Sequence, residues 1–466
     1  MFDLTVEFRT GSGKCLYEQI YEYVRREIRE GKLRPGERLP STRSLAEYLQ
    51  VSRSTAMLAY DQLLSEGYIA SRPYKGYFVC RMEELYRLDA GDGGKATPEA
   101  DAGACYAVDF SPSATDMSRF PFSVWRKINR SVLGEGSAGL FAQGDPQGEY
   151  SLRETIGRYL HSSRGVNCSP QQIIVGAGND YLLLLLEKIL GRQVRIAMEN
   201  PTYKRAYQIF RSFAYEITTV DMDQAGMTVA GLRQSDVTAA YVMPSHQYPT
   251  GVLMPIGRRL ELLKWANEAP GRYLIEDDYD SEFRYRGKPI PALQASDTQG
   301  RVIYIGTFSK SIAPAIRVSY MVLPRELLER YRQQCYFYSA TVSRVDQKVL
   351  EVFMGEGYFE RYLNKMRKCY KEKHDLLLEG LTDFRDDFQI TGENAGLHLL
   401  LTGRKGQKEK SLVSAAQALG VRVYGLSESL VGKEAGQQDH TVLLGYGGLE
   451  PEEIKKGLTL LRQAWL

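Results

Sequence analysis

The residues best equipped for chemistry stand in one stretch, Arg301 to Tyr320, RVIYIGTFSKSIAPAIRVSY. Val302, Ile303, Tyr304 and Ile305 are β-branched or aromatic and read as a buried strand. The strand ends at Gly306 and delivers Thr307, Phe308, Ser309 and Lys310 just past its carboxyl end, where ligands of open α/β sheets collect. A lysine in a partly dry site has a lowered pKa and can condense with an aldehyde as a Schiff base. The hydroxyls of Thr307 and Ser309 and the guanidinium of Arg317 would suit a phosphate dianion. The same lysine also fits a solvated place on a βα loop, so a second signal has to decide.

That signal is Tyr273 to Phe283, YLIEDDYDSEF, another apolar strand, ending in Glu276, Asp277, Asp278 and Tyr279. A carboxylate at a strand end can hold a pyridinium nitrogen protonated, and a nearby phenol can bond the ring's 3′ oxygen. Acid, tyrosine, Gly-Thr-Phe-Ser-Lys and arginine, in that order, resemble the fold-type I, pyridoxal-phosphate-dependent aminotransferases. The resemblance implies pyridoxal 5′-phosphate as cofactor, Lys310 as its Schiff-base lysine, Asp277 at the pyridine nitrogen and Tyr279 at the 3′ oxygen. Asp277 is preferred to Asp278 because the family pattern places the acid two residues before this tyrosine.

Further positions follow the same pattern. Ile173 to Asp180 is strand, glycine turn, helix, and backbone N–H groups at Ala177, Gly178 and Asn179 would form an anion site for the cofactor phosphate. Many βα turns with two glycines bind nothing. In Glu199 to Arg205, Tyr203 could stack or bond near the cofactor; Arg205 is either an acceptor of an effector carboxylate or part of a surface turn. Met243 to Gly251 resembles the loop on the cofactor's 3′ side, which makes His246 a cofactor neighbour. The segment GDPQGEYSLRETIGRYLHSSRGV resembles the one that closes the cofactor site, often from a neighbouring subunit.

The frame for these residues begins with a different module. Leu16, Ile20, Val24 and Ile28 repeat every four residues, predicting an amphipathic helix over 16–30 closed by Gly31. Ser41 or Thr42 can cap a short helix running to Leu49. After a tight turn at Gln50 and Val51, Ser52 caps the next, through Leu64. Ala56, Ala59, Tyr60 and Leu63 would face inward there, and Arg53, Ser54 and Met57 outward. Tyr68 to Ala70 and Tyr77 to Cys80 then pair around Arg-Pro-Tyr-Lys-Gly as a β-wing. This block, roughly residues 14–80, closely resembles the winged helix-turn-helix of GntR-type bacterial regulators. By that resemblance Arg43 and Arg53 reach double-stranded DNA, Ser41, Ser52 and Thr55 hold phosphates or base edges, and Lys75 touches backbone or minor groove.

Charge agrees in placement. Residues 1–81 hold 13 Lys/Arg against 10 Asp/Glu and the remainder 47 against 47, so the whole net charge of +3 sits in the N-terminal module. At 466 residues, 43% apolar and 25% charged, the chain has room for two or three globular domains. No apolar run approaches the roughly 20 residues of a membrane span, and the N-terminus does not read as a signal peptide. Cys15, Cys80, Cys105, Cys168, Cys335 and Cys369 are scattered without metal or redox spacing, as suits a reducing cytoplasm, and the five histidines form no metal motif.

The expected architecture is therefore multidomain. An α+β winged helix-turn-helix over 1–81 and a flexible linker over 82–105 precede an α/β fold-type I aminotransferase-like domain over 106–466. The last of these has a smaller α/β C-terminal part from about 336. This order resembles the MocR subfamily of GntR-type transcriptional regulators. It implies a head-to-tail homodimer that binds promoter DNA and senses pyridoxal phosphate or a small amine or amino-acid effector. The competing expectation is a working aminotransferase with an appended DNA-binding domain. Two departures weigh against turnover: Ser319 stands where the family usually has glycine, and Gln438-Asp-His440 occupies the place of the carboxylate-binding arginine. Arg422 is the nearest substitute for it.

Overall fold

A computed structural model describes residues 14–81, 106–134, 136–285, 290–432 and 440–466. The linker expected over 82–105 lies outside the described residues. The chain divides into two compact units at Gly103/Ala104.

In the first unit, the helix Leu16–Arg29 buries Ile20, Val24 and Ile28, the four-residue stripe of the sequence. The helix Thr42–Leu49 starts where Ser41 Oγ accepts the Ser44 N–H at 3.1 Å, and it stops at Gln50, which is left-handed with φ 52°. The helix Arg53–Ser65 starts the same way, Ser52 Oγ accepting the Thr55 N–H at 3.1 Å. These caps satisfy amides that the first helical turn leaves open. Ala56, Ala59, Tyr60 and Leu63 are fully buried, leaving Arg53, Ser54 and Met57 in solvent. The wing strands are Ile69–Arg72 and Gly76–Val79, antiparallel, with Arg72 opposite Gly76. Each begins a residue away from the expected start; at the helix end the Tyr68 N–H bonds to Leu63 O, and in the turn Tyr74 takes φ 62°.

The second unit is built on an eight-stranded sheet. Its order is Ile173–Gly176, Ser319–Val322, Val302–Thr307, Tyr273–Asp278, Ala239–Val242, Ile196–Asn200, Ile217–Asp223, Gly226–Met227. Strands from Val302–Thr307 to Ile217–Asp223 run parallel; Ser319–Val322 is antiparallel to both its neighbours. Period-two alternation sorts the apolar residues. Ile275 and Ile303 pack with the helix Asn179–Leu190, whereas Leu274 and Val302 pack with the helix Ile256–Asn267. All six residues of Tyr273–Asp278 are buried, as befits a central strand covered on both faces.

A second, four-stranded sheet follows the order Phe388–Thr391, His398–Gly403, Thr441–Gly445, Tyr424–Gly425. Helices Tyr358–Gly380, Glu409–Ala418 and Pro451–Trp465 pack beside it. Val108–Asp109, near the start of the unit, pairs in parallel with Val421–Arg422. One apolar cluster runs from Val108 through Ile173 to Leu399 and Leu444, so the two sheets share a core.

Candidate cofactor site and DNA-binding face

Lys310 is held by the loop between Val302–Thr307 and Ser319–Val322. Phe308, 1% exposed, anchors it, its N–H donating to Val318 O at 3.0 Å. Thr307 Oγ1 accepts the Ser309 N–H at 3.1 Å and the Ser319 hydroxyl at 2.8 Å. Ser319, the departure from the family's glycine, thus fixes a hydroxyl at the strand end. The lysine amine donates to Ser113 O at 2.7 Å and Pro112 O at 3.1 Å. Its side chain keeps some exposed area because it faces a cavity, yet it lies deep in the unit. Burial pulls its pKa down to about 8, against a smaller opposing pull from Asp280.

That cavity, of about 190 Å³, is lined by Lys310, Asp277, Tyr279, Thr307, Ser309, Arg317, Asn179, Tyr203 and Arg205 among others. The structure therefore brings together eight of the expected cofactor residues and Arg205. A larger depression of about 580 Å³ lies elsewhere, beside Cys168 and Asp297. The Asp297 carboxylate there is taken by the N–H groups of Gln299, Arg301 and Val302, so no reactive group converges on it.

Asp277 and Asp278 are neighbours on a strand and so point to opposite faces. Asp277 Oδ2 accepts from Asn179 Nδ2 at 3.0 Å and from the Tyr241 hydroxyl, while Oδ1 is buried with no partner. Burial pushes this carboxyl up to about 6 against the two hydrogen bonds that lower it. Asp278 instead meets Arg164 Nε at 2.8 Å and the Tyr304 hydroxyl at 2.6 Å, on the far side of the strand. Tyr203, Tyr248 and Tyr279 make an aromatic wall of edge-to-face rings 6.0 and 6.2 Å apart. Burial raises the Tyr203 phenol to about 12.

Some expected residues lie elsewhere. The Ala177 N–H is used by Thr341 Oγ1 at 3.0 Å and the Gly178 N–H by Gly176 O at 2.8 Å, because the turn closes on itself before the helix starts. Gly178 contributes space instead: at φ 92°, a Cβ there would lie 2.2 Å from Arg317 Nη2. His246 is off the cavity wall, behind Tyr279, with Nδ1 3.0 Å from the phenol and 2.9 Å from Asp280 Oδ2. Arg422 is not on the wall either; pairing with the Val108–Asp109 strand holds it between the rings of Tyr106 and Tyr424, 3.7 Å from Asp109. Gln438 and Asp439, read as the place of a missing arginine, lie outside the described residues.

Sequence reading missed Tyr241, Asp180, Tyr248 and the carbonyls of Pro112 and Ser113. Tyr241 left a signal: a phenol in the fully buried strand Ala239–Val242 must find an acceptor. Backbone carbonyls leave none.

In the first unit Arg43 and Arg53 border one shallow surface depression, and Lys75 is exposed in the wing turn. Arg43 is lightly held, its Nε 3.1 Å from Glu47 in an exposed pair. Ser41, Ser52 and Thr55 are occupied by capping: Ser52 Oγ is 2.7 Å from Thr55 Oγ1. Among the described residues no helix is long and apolar enough to cross a membrane, and no cluster of His, Cys, Asp or Glu could hold a metal ion.

The two units together define a winged helix-turn-helix DNA-binding module joined to an aminotransferase-type domain whose cofactor is pyridoxal phosphate. Residues 16–79 match the gntR family of bacterial regulatory proteins and residues 113–434 the class I and II aminotransferases. The chain is 39% identical over 458 residues to the uncharacterized HTH-type transcriptional regulator YdeL of Bacillus subtilis, covering 97% of this chain and 96% of that one. It is 32% identical to the probable rhizopine catabolism regulatory protein MocR of Rhizobium meliloti, over 97% and 94% of the two chains. Among solved structures, the multiple substrate aminotransferase of Thermococcus profundus superposes with a TM-score of 0.68 at 26% identity, covering 77% of this chain and 90% of that one. The chain belongs to the MocR subfamily of GntR-type transcriptional regulators. Like them it is a regulator with DNA as a partner, and its aminotransferase-like domain has a fold that commonly pairs.

Proposed function

We propose that this regulator binds promoter DNA as a head-to-tail dimer in the cytoplasm and reads pyridoxal phosphate, or a small amine or amino acid that reacts with it, through Lys310. The observation that carries this is the convergence of Lys310, Asp277, Tyr279 and Arg317 on one cavity. Three features of the cavity fit the cofactor: a buried amine of lowered pKa, a carboxylate oxygen with no partner, and a space at Gly178 kept open beside a guanidinium. When bound, pyridoxal phosphate supplies an aldehyde and an electron-withdrawing ring.

Lys310 would provide the nucleophile and Arg317, with Thr307 and Ser309, the cationic and hydroxyl partners of the phosphate. Asp277 Oδ1 would accept a hydrogen bond from the pyridine N–H and so keep that nitrogen protonated, while Tyr241 and Asn179 hold the other oxygen still. Tyr279, set by His246, would donate to the ring's 3′ oxygen. Arg205 stands at the wall for an effector. Asp277→Asn is expected to keep some bound cofactor but weaken its pyridinium character, which a visible spectrum would read as a shifted band. An unshifted band would move that role to another residue.

For DNA, Arg53 starts a helix whose exposed N-terminal turn can enter a major groove, and Lys75 tips the wing. Arg53→Ala is expected to lose about 1–3 kcal/mol of specific binding, mostly as discrimination between sites. Lys75→Ala should weaken all sequences alike and reduce the salt slope by about one. Titrations on cognate and scrambled duplexes at several salt concentrations separate the two; equal losses on both duplexes for Arg53→Ala would remove it from base reading. Steady release of a keto acid from added amino acids would favour the working-aminotransferase reading.

A further inference from the structure

The end of the cavity that carries Arg205 and Arg317 also holds a negative charge with no part in the proposed function. Asp180 Oδ2 accepts from Arg205 Nη2 at 2.6 Å and stands 3.4 Å from Arg317 Nη2. All three side chains line the same cavity. Arg317 is fixed from its backbone, which takes the left-handed φ 50°, and its guanidinium rests against Gly178. An acid in the first turn of a helix is ordinarily a partner of the helix dipole. That account explains why Asp180 is tolerated, and leaves unexplained why it bridges the two guanidinium groups of this cavity wall.

We propose that Asp180 is a built-in competitor for the cofactor's phosphate, lowering its affinity so that uptake is reversible; this rests on reading the cavity as the pyridoxal phosphate site. Two guanidinium groups against one carboxylate leave a single net positive charge to receive a dianion. The longer contact, to Arg317, yields first, and Asp180 keeps Arg205 through the shorter one. Arg317 then turns to the phosphate, but the dianion still stands beside a carboxylate. Each unit of like charge at contact distance costs roughly fivefold in affinity even with water-like screening. Part of that is offset because Asp180 stays paired to Arg205. An enzyme that holds its cofactor through turnover has no use for such a charge. A detector does, since occupancy changes only when the dissociation constant lies near the ambient level.

The test uses the full chain freed of cofactor, with Asp180→Asn, an isostere that keeps a hydrogen bond to Arg205 without the charge. Parent and variant are titrated by visible absorbance with pyridoxal phosphate and, separately, with pyridoxal, which lacks the phosphate. The variant is expected to bind pyridoxal phosphate roughly tenfold tighter while pyridoxal changes by less than about twofold. The gap between parent and variant should shrink as salt is raised. Pyridoxal phosphate bound no tighter by the variant, or both ligands shifted alike, would overturn the proposal by assigning Asp180 a purely structural part. A parent chain that takes up no pyridoxal phosphate at all would fail the cofactor reading itself, and the proposal with it. Asp180→Ser carries the same expectations should the amide variant not fold.

Discussion

Lys310→Ala is expected to abolish borohydride-stable attachment of pyridoxal phosphate to the chain, with the fold intact. Among the described residues the amine's hydrogen bonds are to the carbonyls of Pro112 and Ser113. Those carbonyls lie beside a cavity that water can enter, so losing their donor leaves them hydrated rather than stranded. The loss should be complete because no other lysine lines the cavity among the described residues. Burial also sets a pH signature. With a pKa of about 8, roughly a tenth of Lys310 is neutral at pH 7, against about three in ten thousand for an ordinary lysine at 10.5. Attachment to the parent chain should therefore speed up close to tenfold per pH unit below 8 and level off above it. Mass spectrometry of the reduced protein and stopped-flow absorbance would check both. A borohydride-stable adduct surviving in the alanine variant would place the chemistry on a different lysine.

The second large effect is on stability. Arg164 and Asp278 are 5% and 1% exposed and 2.8 Å apart, with Arg164 also donating to Ser245 and to Ile290 O. Asp278 raises the pKa of its buried partner despite the desolvation that lowers it. Arg164→Leu would leave a buried carboxylate with only the Tyr304 hydroxyl, at a cost of about 3–5 kcal/mol. Removing both charges, Arg164→Leu with Asp278→Leu, should recover part of the loss, because an apolar pair need not be solvated, while the buried Tyr304 hydroxyl still lacks its acceptor. Thermal unfolding of the three proteins tests this. A single variant melting with the parent would show that the pair contributes nothing net.

The sequence made much of this legible, for identifiable reasons. The helices of the N-terminal unit were readable because a stripe at 16, 20, 24 and 28 and two serine caps are local signals. Of the residues that line the cavity, Asp277, Tyr279, Thr307, Ser309 and Lys310 were legible because they stand at or just past the end of an apolar strand. What stayed hidden depends on distant pairing. Arg422 was put forward as the nearest arginine to the place where Gln438-Asp-His440 stands, but pairing with residues 108–109 draws it to a tyrosine-flanked surface. Ala177 and Gly178 carried the right types for an anion site, yet their amides bond to Thr341 and Gly176. Asp180 looked like any acid opening a helix, because its two arginines come from positions 25 and 137 residues away.

Adjacency of Asp277 and Asp278 on one strand has a consequence for how this lineage can vary. Each acid serves its own face, so the strand end cannot change in length without swapping both roles at once. Deleting one residue upstream would turn Asp278 into the cavity and set Tyr279 against Arg164, a buried cation with no counter-charge. Inserting one would send Asp277 to Arg164 and put Glu276 in its place, stripping the carboxyl that bonds the N–H groups of Leu293 and Gln294. Length changes that natural drift or a protein engineer introduces must therefore fall in the loops, and the segment from Tyr273 to Tyr279 has to be inherited or transplanted as a single block.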